Sequence, residues 1–202
     1  VLFQPEIRRF LERMGSGRLG FVFASTKEAG QEGGTAILQT TEAYTDLSRD
    51  KVGALMVFER QNLLDDVVKT GTALDCGVSS ELLKNIFWNK APLHDGAVIV
   101  RGDRVVSATC YLPLSDNMFL SKELGTRHRA AVGVSELTDS LTIVVSEETG
   151  RVSAAVDGKL MRNLKEEELR EQLVSAQNKT QDTGRFKLWK GRVKKREKNA
   201  DE

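Results

Sequence analysis

Two kinds of hydrophobic pattern run along this chain. Short, nearly all-apolar segments bounded by polar residues are typical of buried strands, and they occupy residues 52–58, 97–100, 105–111, 141–145 and 152–156, with a weaker example at 71–76. A Gly-Asp pair separates the second segment from the third, which predicts a β-hairpin. The last two of these segments predict a second strand pair.

Apolar residues with helical spacing fill much of the remaining sequence. Pro5 suits the first turn of a helix that Gly15 and Gly17 end, and Asn62 is a candidate cap for a helix through Val68. Further helices are predicted at residues 35–47, after the glycine-bearing segment 28–34, at 79–88 with Ser79 or Ser80 as cap, at 126–137 with Ala130, Ala131, Val134 and Leu137 on one face, and at 166–176.

This mixture of strands and helices lacks strict alternation, which favours one α/β arrangement. We predict a single domain with a central mixed, twisted β-sheet flanked by helices. The chain has 202 residues, of which 40% are hydrophobic, and that is enough for one sizeable core. No segment is long and apolar enough for a membrane span, and no secretory start is present. The first residue is not Met, so we expect a fragment of a longer protein.

Charge and cysteine content narrow the class of protein. From Gln177 onward there are nine Lys or Arg against four Asp or Glu, whereas the preceding 176 residues carry 21 basic and 25 acidic groups. The basic tail is either solvated and disordered, or binds an anionic membrane surface or nucleic acid. Cys76 and Cys110 lie in apolar runs without a metal-binding spacing, which favours buried, reduced thiols in a cytoplasmic protein over a disulfide.

The two histidines of the chain both interrupt the apolar pattern. His94 precedes Asp95-Gly96-Ala97, and His128 lies within GTRHR. Each could be a structural histidine. In GTRHR, Thr126 is a candidate N-cap, so free N–H groups of the helix start would attract an anion. Arg127 and Arg129 add forked donors that suit phosphate oxygens. The alternative is a solvated basic first turn, which the helix dipole disfavours.

Carboxylates end two of the predicted strands. Asp95 stands at the entrance of one strand, where the following glycine lets backbone approach a ligand, and this suits a ribose hydroxyl or a divalent metal. Ser146 and the two glutamates after it end another strand, although such a sequence is also an ordinary acidic turn. Hard oxygen ligands beside a phosphate site indicate Mg²⁺ or Mn²⁺.

These motifs resemble one known family. LHDGAVIV, followed about 30 residues later by LGTRHRAAVGVSE, is similar to the diadenylate cyclase (DAC) domain, with its Asp-Gly-Ala and Arg-His-Arg motifs. The resemblance runs from about Phe3 to about Leu160. The start FQPEIRRFLERMG resembles the juxtamembrane helix of the membrane-anchored CdaA type. The resemblance and the predicted elements together give a juxtamembrane helix and connector at 1–20 and a catalytic domain at 21–162. A C-terminal helix at 163–176 and a basic, disordered tail at 177–202 are expected from the residues themselves.

The resemblance implies condensation of two ATP molecules into cyclic di-AMP, a bacterial second messenger, with release of two pyrophosphates. Asp95 would lie at the ATP 3′-hydroxyl, with Gly96 and Ala97 close to the nucleotide. The triphosphate would be held by Thr126, Arg127, His128 and Arg129, and adenine would be bordered by Tyr111. Ser146 and Glu148 would contact phosphate or metal. The metal would be Mn²⁺ or Mg²⁺, with Asp95, Glu148 and His94 as its ligands.

The implied reaction needs two chains, because each ATP must be attacked by the hydroxyl of the other, and we expect a face-to-face homodimer. The family further implies a catalytic fragment, itself soluble, held at the cytoplasmic face of the cell membrane by helices that precede it, with room for regulatory protein partners. Two other classes stay open: a non-catalytic nucleotide sensor with the same pocket, and a nucleic-acid-binding protein using the basic tail. The acidic folded part argues against nucleic acid.

Overall fold

The computed structural model describes residues 19–118, 120–121 and 124–177, with side chains from residue 34 onward. The predicted helix near Pro5 and the basic tail beyond residue 177 lie outside these residues. The chain divides into two compact units between Thr35 and Ala36. The described residues before Ala36 all belong to helix α1 (Leu19–Arg49). The expectation that segment 28–34 precedes a helix is therefore wrong, because its Gln, Glu and Ala residues continue the helix despite the glycines.

A seven-stranded sheet forms the second unit. Its strands are β1 (Ala54–Phe58), β2 (Thr72–Gly77), β3 (Ala97–Arg101), β4 (Arg104–Cys110), β5 (Leu141–Val145), β6 (Val152–Val156) and β7 (Lys159–Arg162). The order across the sheet is β2-β4-β3-β1-β5-β6-β7. Only β1 and β3 pair in parallel, and every other pair is antiparallel. The predicted mixed sheet is confirmed, and so are the two strand pairs, while β7 was not predicted because it has four residues of which two are charged.

Alternate residues of the central strands point to opposite faces, as the pleat requires. Ala54 and Met56 of β1 join the core that α1 covers, whereas Leu55 and Val57 join the core on the other side. The first face is covered by α1, by α3 (Ser80–Phe87) and by the final helix α5 (166–177). The second is covered by α2 (Asp65–Val68) and α4 (Thr126–Leu137). The sheet is therefore buried between two helical layers.

Most helix ends agree with the sequence, and two details do not. Ser79 caps α3, since its hydroxyl accepts a hydrogen bond from Leu82 N at 3.2 Å. Asn62 caps nothing: its backbone N–H donates to Asp139, and α2 begins only at Asp65. Leu137 is 71% exposed, so the last residue of α4 extends beyond the packed part of the apolar face that was predicted to include it.

Two buried polar groups stabilise the sheet. Tyr44 of α1 is fully buried and donates to the carbonyl of Ile143 at 3.0 Å, and burial holds its pKa well above the ordinary value. The Glu59 side chain, 1% exposed, follows β1 and pairs with Arg101, which also reaches Asp65. Tyr44 thus ties α1 to the middle of β5, and the Glu59–Arg101–Asp65 group ties the ends of β1 and β3 to α2.

Cys110 is buried and Cys76 half-buried, and both are free thiols. The burial expected for both holds fully only for Cys110. Within residues 19–118, 120–121 and 124–177, no helix has the length and apolar character that crossing a membrane requires.

Candidate active site

The strand register brings the predicted site residues to one edge of the sheet. Met56 pairs with Val98 in parallel, and Ala54 pairs with Val145 in antiparallel fashion. Strands β1 and β3 therefore begin where β5 ends, and β4 ends there as well because Ala97 faces Cys110. We call this the site edge, formed by residues 53, 94–97, 111, 126–129 and 146–148. Strands β3 and β5 flank β1, so their ends are about 10 Å apart.

The turn into β3 exposes a carboxylate beside a glycine that no other residue would replace. Gly96 has φ +89°, and a Cβ there would lie 2.9 Å from the Cys110 carbonyl oxygen. The Asp95 side chain is 85% exposed, whereas Ala97 is fully buried at the start of the strand. Close packing of Gly96 on β4 thus presents Asp95 to solvent at the site edge.

A β-bulge shapes the neighbouring strand. The register of β3 and β4 shifts between Ala97 and Ile99, and Thr109 adopts φ +57°, which is strained for a β-branched residue. Tyr111 follows it, 77% exposed, with its N–H bonded to the Thr70 hydroxyl at 3.0 Å. The bulge therefore turns the end of β4 so that an aromatic side chain stands free at the site edge.

His94 is fixed by a single backbone contact. Its Nδ1 lies 2.6 Å from the Ala91 carbonyl oxygen, to which it donates, and its Nε2 lies 3.6 Å from Oδ1 of Asp95. Because Nδ1 carries the proton in that arrangement, Nε2 offers a lone pair next to a carboxylate. This pairing suits a cation.

The start of α4 reaches the same edge. The N-cap is Gly125, with φ −69° and ψ 176° and no side-chain cap, so the expectation that Thr126 is the N-cap is wrong. Gly125 is the extended residue before the helix, so Thr126 occupies the first helical position instead. Its side chain is exposed. Arg127 bonds to Glu147 through Nη1 and Oε2 at 2.8 Å, which ties the helix start to the turn after β5.

His128 differs from its neighbours because it is buried, at 7% exposure. Burial lowers its pKa, the positive charge of Arg162 lowers it further, and Glu148 acts in the opposite direction. The imidazole is therefore neutral at pH 7. Arg129 is half-buried, and its carbonyl accepts a hydrogen bond from Ser115 N at 3.0 Å, so a loop from β4 crosses the helix here.

Ser146 and Glu148 lie in one tight turn after β5. The Ser146 hydroxyl accepts a hydrogen bond from Thr149 N at 3.3 Å, and Gly150 N bonds to the Ser146 carbonyl at 2.8 Å. Glu148 is exposed. In the part of the chain that the structure describes, no three His, Cys, Asp or Glu side chains form a group that could hold a metal. His94 and Asp95 are thus together, and Glu148 does not complete a triad with them.

Two residues of the site edge escaped sequence reasoning. Glu147 pairs with Arg127, and Gly53 lies against that pair. Glu147 stands between two residues that were predicted, and its acidic turn gave no reason to prefer one glutamate over the other. Gly53 lies inside the predicted strand 52–58, where a single glycine gives no sign of a binding site.

Strand order, an exposed Asp-Gly turn and a basic helix start at one sheet edge define a nucleotide-binding α/β domain. Residues 41–160 match the family model described as DisA bacterial checkpoint controller nucleotide-binding (DAC). The chain belongs to this diadenylate cyclase family of enzymes.

The chain is similar to named relatives over most of its length. It is 49% identical over 194 residues to cyclic di-AMP synthase CdaA of Bacillus subtilis, covering 95% of this chain and 70% of that protein. It is 46% identical over 196 residues to a diadenylate cyclase of Listeria monocytogenes, with the same coverage of each. Both relatives support the assignment to this family.

Solved structures agree on the fold. The crystal structure of a DacA double mutant from Staphylococcus aureus superposes with a TM-score of 0.69 at 46% identity, covering 70% of this chain and 95% of that one. A structure described as a hypothetical membrane-spanning protein from Bacillus cereus gives 0.61 at 47% identity, covering 63% and 62%. The mixed sheet flanked by helices is therefore the fold of this family.

Proposed function

We propose that this chain condenses two ATP molecules into cyclic di-AMP and releases two pyrophosphates. The observation that carries the proposal is the meeting of Asp95 and the Arg127–Arg129 helix start at one sheet edge. Asp95 supplies an exposed carboxylate, and the helix start supplies fixed positive charge. A reaction in which a sugar hydroxyl attacks a phosphorus atom needs both a carboxylate and positive charge.

The reaction is an in-line attack of a ribose 3′-oxygen on an α-phosphorus, so catalysis depends on positioning and charge neutralisation. Asp95 lies at the 3′-hydroxyl and receives its proton, because its carboxylate is exposed and unhindered by Gly96. Arg127 and Arg129 bind the triphosphate, and the exposed Thr126 adds its backbone N–H at the start of the helix. Pyrophosphate leaves from the α-phosphorus while these groups hold its charge.

Other residues of the site edge orient the nucleotide. Tyr111 borders the adenine, because its exposed aromatic ring can pack against a flat base. Burial lowers the pKa of His128, which favours a neutral imidazole that binds phosphate by hydrogen bonding. Ser146 contacts phosphate, and Gly96 and Ala97 allow the nucleotide to lie close to the backbone.

A divalent ion fits the residues present. Nε2 of His94 and the Asp95 carboxylate offer two adjacent ligand atoms, and Mg²⁺ sites are commonly completed by substrate phosphates. Glu148 is the further candidate from the turn after β5. When bound, Mn²⁺ or Mg²⁺ lowers the pKa of the attacking hydroxyl and offsets phosphate charge. The protein's part is to hold the ligand oxygens and nitrogen in place.

Two chains are needed for ring closure. The sequence contains one Asp-Gly-Ala and one Arg-His-Arg motif, so one chain holds one ATP. Each 3′-oxygen must reach the α-phosphorus on the other ATP, and a face-to-face homodimer satisfies both attacks through one symmetry axis. Similarity to the CdaA type favours placement at the cytoplasmic face of the cell membrane, with helices that precede this segment as the anchor, and regulatory proteins as further partners.

The test is product analysis. The protein is incubated with ATP and Mn²⁺ or Mg²⁺, and products are separated by chromatography and identified by mass. We expect cyclic di-AMP and pyrophosphate in a ratio of one to two. Binding of ATP without any cyclic product would support a non-catalytic nucleotide sensor instead. Binding of nucleic acid without ATP turnover would support a nucleic-acid-binding protein.

A further inference from the structure

The Arg127 side chain leaves the helix start and passes beside Gly53, just before β1, to reach the turn after β5. Its Nη1 lies 2.8 Å from Oε2 of Glu147. The two ends of this bond differ in exposure, because the Arg127 side chain is 21% exposed and that of Glu147 is 65% exposed. A largely buried guanidinium is thus held by a carboxylate at the rim of the site edge.

Gly53 is the residue over which this pair lies. A Cβ at this position would stand 2.9 Å from Nη1 and 3.0 Å from Cζ of Arg127, and 3.1 Å from Oε2 of Glu147. The φ of Gly53 lies outside the left-handed region that favours glycine. A side chain here would displace the end of Arg127, so glycine leaves room for the observed Arg127–Glu147 pair and is not needed for backbone conformation.

We infer that Glu147 and Gly53 are positioning residues that fix the Arg127 guanidinium for the substrate triphosphate. The inference rests on the proposed function, in which Arg127 binds phosphate. A guanidinium has five N–H donors, and the bond to Glu147 engages one nitrogen, Nη1. Glu147 orders the long side chain before ATP arrives, so binding costs less conformational freedom. Gly53 lets the guanidinium lie flat against the sheet edge.

If Glu147 competed with ATP for Arg127, its removal would change ATP affinity in the opposite direction. A carboxylate near a triphosphate repels it, and a Glu147 that merely competed with ATP for Arg127 would weaken binding. Removing the Glu147 charge then tightens ATP binding. A positioning Glu147 gives the reverse, because its removal frees Arg127 to adopt other rotamers.

The experiment is a double-mutant cycle on the dissociation constant for ATP, with Mg²⁺ present. We expect Glu147→Gln to weaken ATP binding about fivefold, and to change it by less than about twofold when Arg127 is already alanine. Glu171→Gln, which removes the same charge from an exposed position on α5, is the matched control and leaves binding unchanged. Gly53→Ala should resemble Glu147→Gln, and it too should lose its effect in the Arg127→Ala background.

Further readouts separate positioning from a structural role. Glu147 is exposed, so Glu147→Gln keeps the unfolding midpoint of the wild type while KM for ATP rises more than kcat falls. Tighter ATP binding by Glu147→Gln, unchanged binding, or an equal loss in the Arg127→Ala background would each overturn the inference. A wild type that binds ATP yet forms no cyclic di-AMP overturns the proposed function alone, and the cycle on ATP binding then still decides the role of Glu147.

Discussion

Nε2 of His94 lies 3.6 Å from Oδ1 of Asp95, and Nδ1 of the same ring donates to the Ala91 carbonyl at 2.6 Å. The backbone contact thereby selects the tautomer that leaves Nε2 unprotonated beside a carboxylate. Gly96 follows immediately with a conformation that keeps this turn packed on β4. One short turn thus supplies a nitrogen ligand, an oxygen ligand and room for a nucleotide.

Asp95→Asn should abolish cyclisation and leave ATP binding within about threefold of the wild type. The amide cannot accept the proton of the 3′-hydroxyl, whereas the triphosphate contacts lie at the start of α4. The measurement is cyclic di-AMP formation together with ATP binding by calorimetry. Asp103→Asn, in the hairpin turn at the opposite edge of the sheet, is the control. Near-normal turnover by Asp95→Asn would rule out its assigned role.

His94→Asn should weaken Mn²⁺ binding about tenfold, because the variant loses the Nε2 lone pair beside Asp95. Electron paramagnetic resonance of free Mn²⁺ in the presence of ATP measures this directly. Chelation of the metal should stop product formation in the wild type. Equal Mn²⁺ binding by the variant and the wild type would remove His94 from the proposed ligands.

The neutral His128 predicts a pH dependence of stability. Its folded-state pKa is lowered by burial and by Arg162, so the unfolded chain binds the proton more readily. The stabilisation is fully present above the unfolded pKa of about 6.5 and is lost as pH falls from there toward the folded pKa. Urea unfolding between pH 7.5 and pH 5 should show this decline, and His128→Gln should flatten it. Identical slopes for both proteins would contradict the prediction.

Arg101→Ala should lower the free energy of unfolding by about 2 kcal/mol, because it leaves the buried Glu59 carboxylate without its ion pair. Arg104→Ala is a matched control in the same hairpin. Arg104 pairs with Asp75, whose side chain is 81% exposed, so its loss should cost clearly less than the loss of Arg101, because solvent screens the pair. Denaturant titration measures both, and an equal cost for the two variants would show that burial of Glu59 is irrelevant.

Much of the fold was readable from the sequence because its strands are short apolar runs with clear ends. The helix at Thr126–Leu137 was predicted with its observed bounds, and the hairpin around Gly102 was predicted from its turn. The sequence did not predict strand β7 or the continuity of α1 through its glycines. Both depend on tertiary pairing and helix propagation, and neither leaves a strong local pattern.

The site was predictable in its residues and less so in its geometry. The amino-acid sequence alone shows that His94, Asp95 and the Arg-His-Arg segment interrupt the apolar pattern. That β3 begins where β5 ends follows only from the parallel pairing of β1 with β3 and the antiparallel pairing of β1 with β5. The spatial role of Gly53 needed coordinates, because only the path of the Arg127 side chain explains it.

The most direct test of the account is the specific activity of cyclic di-AMP formation across a dilution series, with the association state followed by light scattering. If two chains each bring one ATP, specific activity falls as the protein is diluted below the dissociation constant of the dimer, in proportion to the dimer fraction. Specific activity that stays constant down to single chains would contradict the shared site, and absence of cyclic di-AMP at every concentration would contradict the proposed function itself.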